Sequence, residues 1–100
     1  MIQIEETLYG YRIVFPEDVS DQAMQDWLKR SRQLLESNRT PFRCIFDFRS
    51  GGELSGRGKM LWDVGLNLYR QRGMEEGVLL KAGGKVEDIH FGDHFLDMTA

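Results

Sequence analysis

The sequence predicts an α/β fold: a single small domain built on a mixed, mostly parallel sheet of four to five strands, with elements in the order β-β-α-β-α-β. Three observations carry that expectation. Short apolar runs rich in β-branched and aromatic residues recur at 2–8, 11–15, 42–48 and 77–82. Two intervening stretches, 20–38 and 60–73, switch to helical spacing of their apolar residues. The chain has 100 residues, enough for one core but not two, and no internal repeat or low-complexity segment interrupts it.

Each element has its own signal. Ile2 to Leu8 and Tyr11 to Phe15 read as two strands joined by a tight turn at Tyr9-Gly10, the second stopped by Pro16. Ser20 is a good N-cap for an amphipathic helix carrying Met24, Trp27, Leu28, Leu34 and Leu35 and ending near Ser37-Asn38. Thr40-Pro41 leads into Phe42 to Phe48, a dense apolar run that predicts a buried central strand. Met60, Leu61, Val64 and Leu68, widened by Trp62 and Tyr69, form the stripe of a second helix that stops at Gly73. Gly77 to Ala82 predicts a further strand, and the tail from Lys85 to Ala100 reads as a short helix or a last strand. Crossovers between parallel neighbours in such an order are right-handed.

Composition narrows the function classes. A formal net charge of −3 with scattered basic residues argues against nucleic-acid binding, which needs a concentrated basic face. Cys44 is the only cysteine, so it has no internal disulfide partner and no Cys/His framework for structural zinc, which points to a reducing, cytoplasmic setting. The first ten residues carry Glu5 and Glu6 and do not read as a signal peptide, and no run approaches the ~18 apolar residues of a membrane span.

The most informative segment is Arg49 to Lys59, which packs four glycines, two serines and three basic residues into eleven positions between a strand and a helix. Ligands and partners of open α/β sheets meet the protein at the C-terminal ends of strands, where a following helix start offers unpaired N–H groups. Arg57 and Lys59 fall in the first helical turn, an end that normally prefers acids, and an anion or a phosphorylated partner would turn that cost into a gain. The plainer reading is a tight turn with Ser55 as N-cap and solvated basic side chains. A phosphate-binding P-loop is excluded: Glu53 stands where its first glycine belongs, and Met60 follows Lys59 in place of Ser or Thr. The dinucleotide fingerprint fails because Leu61 occupies its third glycine position.

Cys44-Ile-Phe-Asp-Phe48 followed by Glu53-Leu-Ser-Gly56 resembles the STAS family, the domain of sulphate transporters and anti-sigma-factor antagonists. The resemblance covers most of the chain: the element order, a strand ending with Asp47, a loop opening a leucine-bearing helix, and Gly73 leading to the strand at 77–82. It implies a regulatory interaction module, not an enzyme, whose loop Glu53, Leu54, Ser55 and Gly56 docks a kinase-like or phosphatase-like regulatory protein. In the family, a serine or threonine in this loop takes a phosphate that switches partner binding. Leu54 stands at that acceptor position here, leaving Ser55 and Ser50 as the candidate hydroxyls. The shortened spacing from Asp47 to Glu53 also resembles the divergent STAS/Sec14-like branch, which implies the alternative of a small-molecule or lipid ligand, its anionic head held by Arg57 or Lys59. A homo-oligomer is compatible with each reading.

Other candidates for chemistry are weaker. His90, Asp93, His94 and Asp97 would share one face of a helix and could hold a metal, but Gly92 interrupts them, and a solvated segment packing Ile89, Phe91, Phe95 and Leu96 inwards is favoured. Glu5-Glu6, Glu17-Asp18 and Glu75-Glu76 read as solvated charges beside turns and strand ends. Cys44, inside the central strand, reads as inert core, and no nucleophile, base and metal constellation is visible, so an enzyme is the remaining, least favoured class. No cofactor is expected.

Overall fold

The computed structural model describes residues 1–38 and 40–89. Five strands form one sheet in sequential order: β1 (Gln3–Glu6), β2 (Gly10–Val14), β3 (Phe42–Phe48), β4 (Met74–Lys81) and β5 (Val86–Asp88). Helix α1 (Asp21–Leu35) connects β2 to β3 and helix α2 (Gly56–Gln71) connects β3 to β4. The order β-β-α-β-α-β is therefore as the sequence predicts, closed by a short fifth strand.

The sheet is mixed rather than mostly parallel. β2–β3 and β3–β4 are parallel, whereas β1–β2 and β4–β5 are antiparallel. The reason is connection length: helical crossovers return the chain in the same direction, but the turns at 7–9 and 82–85 are too short to do anything except reverse it. In the first of these, the Gly10 N–H donates to Thr7 Oγ1 at 3.0 Å and the Thr7 N–H to the Gly10 carbonyl at 2.9 Å, so Gly10 opens β2 instead of ending the turn. β4 also starts earlier than the apolar run at 77–82 suggests. Glu75 and Glu76 belong to the strand, next to a register shift at Phe42/Arg43, and Glu76 pairs with Arg43 across the sheet at 3.4 Å.

The two crossover helices pack together on one face of the sheet, as crossovers of the same hand in the order β2-β3-β4 require. Ile13, Phe15, Phe42, Cys44 and Phe46 are buried beneath Met24, Trp27, Leu28 and Leu35 of α1 and Leu66 and Tyr69 of α2. Strand alternation turns Val14, Ile45, Val78 and Leu80 to the opposite face, where they are half-buried. Trp27 is the centre of the packed face. It is fully buried, stacks on Trp62 and Tyr69 with ring centroids 5.8 and 5.7 Å away, and meets Phe15 edge-on at 5.8 Å. Gly65 makes this approach of the helices possible, because a Cβ there would lie 2.3 Å from Trp27 Cη2. A polar contact within this core joins Ser31 Oγ of α1 to the Tyr69 hydroxyl of α2 at 2.7 Å.

Both helix starts follow the capping chemistry legible in the sequence. Ser20 Oγ accepts from the Ala23 N–H, and Ser55 Oγ accepts from the Gly58 N–H, each at 3.0 Å. At the other end, Asn38 Nδ2 donates to the carbonyls of Thr40 (2.7 Å) and Arg72 (2.9 Å), tying the segment after α1 to the end of α2.

Candidate functional site

The C-terminal ends of β3 and β4, the loop 49–55 and the first turns of α2 converge at one end of the sheet. The loop is held by its backbone. Gly51 N–H donates to the Phe48 carbonyl, Gly52 N–H to Pro16 and Glu53 N–H to Glu17, while the Val19 N–H returns a bond to the Glu53 carbonyl. Gly52 has φ +63°, and a Cβ on it would fall 2.0 Å from Phe48 Cδ1; only glycine lets the chain turn here with the Phe48 ring against it.

The residues singled out for partner docking separate into two groups on this frame. Glu53, Ser55 and Gly56 are exposed, whereas Leu54 is half-buried and packs on the core. Gly56 belongs to the helix, and a side chain there would meet nothing within 4 Å. Residues 56–59 are thus the first turn of α2, where the sequence places Arg57 and Lys59. Ser55 is more committed than an N-cap alone: its hydroxyl also donates to Asp21 Oδ1 at 2.5 Å, linking the first turns of both helices. Ser50 lies exposed in the turn after β3.

Arg57 and Lys59 are both exposed on the first turn of α2. Arg57 borders a shallow apolar depression shared with Met60, Leu61 and Val64, in which Met60 is 69% and Val64 46% exposed. A helix packed by one face does not ordinarily present such a stripe to water at positions i, i+3, i+4 and i+7. Met60 and Val64, expected to mark the buried stripe, therefore lie on the outside, whereas Leu61, Trp62, Leu68 and Tyr69 of that stripe do pack on the core, joined there by Gly65 and Leu66.

Two features escaped the sequence reading. The first is an ionic cluster on the sheet face opposite the helices. Asp47 is buried and accepts from Arg12 Nη2 at 2.7 Å, from Arg49 Nη2 at 2.8 Å, and from Arg49 Nε and its backbone N–H, each at 3.0 Å. The Arg49 hydrogen bonds, with help from Arg12, outweigh the burial of the carboxyl and hold it well below the usual carboxylate range. The clue was a lone acid inside an apolar strand. The second is a hollow of about 470 Å³ lined by Phe48, Leu54, Trp62 and Leu79, by the backbone of Gly51 and Gly52, and by Lys81, Ala82 and Lys85.

The remaining candidates are placed as follows. Cys44 is buried, and burial pushes its thiol up to about 12, so it is protonated at neutral pH. Burial likewise raises the Tyr69 phenol, partly offset by its bond to Ser31. His90, Asp93, His94 and Asp97 lie outside the described residues, and among the described residues no group of three His, Cys, Asp or Glu side chains could hold a metal ion. No helix among them is long and apolar enough to cross a membrane. Compared with known proteins, the chain matches no family model, no curated protein and no solved structure.

Proposed function

We propose that this chain is a non-enzymatic regulatory docking module of STAS type, which engages a protein partner through Glu53, Ser55 and Gly56 and the outer face of α2. The observation that carries this reading is the stripe of exposed Arg57, Met60 and Val64 with half-buried Leu61 between them, which continues directly from a loop fixed by backbone bonds to 16–19. A preformed loop beside an exposed apolar helix face loses little conformational freedom on docking. Arg57 and Lys59 flank the stripe, so the partner surface it suits is apolar with an acidic border. The partner class is a kinase-like or phosphatase-like regulator. Support for a non-enzymatic role comes from how the reactive groups are engaged: Cys44 is buried, Asp47 is bound by two guanidinium groups, and Ser55 caps a helix.

Ser55 is the better-supported modification site of the two serines. Phosphorylation would replace an O–H donor to Asp21 with a dianion facing that carboxylate, separating the first turns of α1 and α2 where the partner docks. The test is capture from native cell extract by wild-type protein, Met60→Glu and Gly56→Trp, both of which sit at exposed positions and should fold normally. A partner retained by wild type and lost from both variants supports the reading. A partner captured equally by all three, or none at all, refutes it.

A further inference from the structure

We propose that the hollow between the 49–55 loop and the β4–β5 turn is a binding site for a small aromatic carboxylate. This goes beyond the docking reading and does not depend on it, because the lining residues lie apart from the Met60 stripe. The volume, about 470 Å³, is within the range of small-molecule sites, roughly 300–1,000 Å³.

The shape selects a flat, rigid body. Phe48 and Trp62 meet at 5.3 Å with their ring planes 81° apart, so together they make a corner in which a planar ring can stack on one and meet the other edge-on. The corner is held in place before any ligand arrives. Phe48 stacks on buried Phe15 with centroids 4.2 Å apart and planes 13° apart, and lies against the Cα of Gly52, where no side chain could fit. Trp62 is fixed by Phe46, 4.9 Å away, and by its stack on Trp27. Leu54 and Leu79 complete the apolar lining, and the glycine backbone leaves one wall flat.

The rim selects the charge. Among the described residues, Lys81 and Lys85 are the charged members of the lining, and no acid belongs to it. Lys81 is already paired with Glu87, while Lys85 forms no salt bridge among the described residues. One uncommitted ammonium beside a half-committed one suits a single negative charge better than a phosphate dianion. An apolar body with one carboxylate at the mouth meets both demands.

The probe is 2-naphthoate, titrated into the full chain and followed by two-dimensional NMR and by the emission of half-buried Trp62. Saturable shifts at Phe48, Trp62 and Leu79 are expected, with a Kd on the order of 0.1 mM for a ligand of this size. Lys85→Gln should weaken binding about 5- to 10-fold. Ala82→Phe, at an exposed position of the lining, should fill the hollow and abolish binding while leaving thermal unfolding unchanged; if it fails to fold, Lys85→Gln still decides. Naphthalene-2-methanol, uncharged, and decanoate, charged but flexible, should each bind at least about 5-fold more weakly. The proposal is overturned if 2-naphthoate gives no saturable shift up to about 5 mM, if either control compound binds as well, or if Lys85→Gln binds unchanged.

Discussion

Replacing Gly65 with alanine tests the packing on which the helical layer depends. The new Cβ would lie 2.3 and 2.4 Å from Trp27 Cη2 and Cζ3, where ordinary carbon contacts are roughly 3.5–4.0 Å. Trp27 has nowhere to go, since it is fully buried and Phe15, Trp62 and Tyr69 flank it. With no room for the ring to shift, overpacking costs about 2–3 kcal/mol, the upper part of its usual range, and the better helix propensity of alanine returns about 1 kcal/mol, leaving a net loss of about 1–2 kcal/mol. For a chain of this size that lowers Tm by roughly 4–16 °C. Urea unfolding followed by tryptophan fluorescence, with thermal unfolding followed by circular dichroism, measures it. Gly56→Ala, where nothing lies within 4 Å of the new methyl, is the matched control and should leave stability equal or slightly higher. Trp27→Leu removes the ring that collides, so Gly65→Ala should cost less in that background than in the wild type. Gly65→Ala as stable as wild type would refute a close α1–α2 contact at this position.

Two further outcomes follow from the buried titratable groups. Asp47→Asn should cost about 1–3 kcal/mol at pH 7, because it weakens charge-assisted bonds to Arg12 and Arg49. The folded carboxyl titrates below its unfolded value of about 4, so this contribution is complete above roughly pH 5 and is lost as the pH falls; the wild-type advantage over the variant should shrink steadily in denaturant titrations below pH 4, and a difference independent of pH would refute the assignment. Native Cys44, its thiol raised to about 12, should react with iodoacetamide at pH 8 at least about 1,000-fold more slowly than in urea, and rapid labelling of the folded protein would contradict its burial.

How much of this was legible in the sequence depended on how local its cause was. Ser20 and Ser55 announce helix starts because capping is settled within three residues, and both caps form. The order of elements follows from changes of hydrophobic period, which are also local. The balance of parallel and antiparallel pairing was misjudged because β5 carries two acids among three exposed residues and gives no apolar signal. Glu75 and Glu76 hid the start of β4 for another reason: the register shift skips Glu75, so both neighbouring carboxylates reach water without breaking the strand. The Asp47 cluster depends on register, since Arg12 stands opposite Ile45 and reaches Asp47 diagonally on the same face. The assignment of Met60 and Val64 to the buried side failed because α2 carries apolar residues around more of its circumference than the sheet covers. Glycine at position 65, where a Cβ would collide with Trp27, marks the side that packs.

The two outer strands of the sheet have a consequence for how copies of this chain behave together. β1 carries Glu5 and Glu6 and β5 carries Glu87 and Asp88, so each row of backbone hydrogen-bonding groups left open among the described residues is fringed with negative charge. Bringing two such rims into register sets carboxylate against carboxylate, which opposes continuous ribbon growth from molecule to molecule. That protection is electrostatic and weakens as added salt shortens the reach of the charges to about 3 Å at 1 M. Concentrated saline solutions are therefore where end-to-end association of this protein would first be seen.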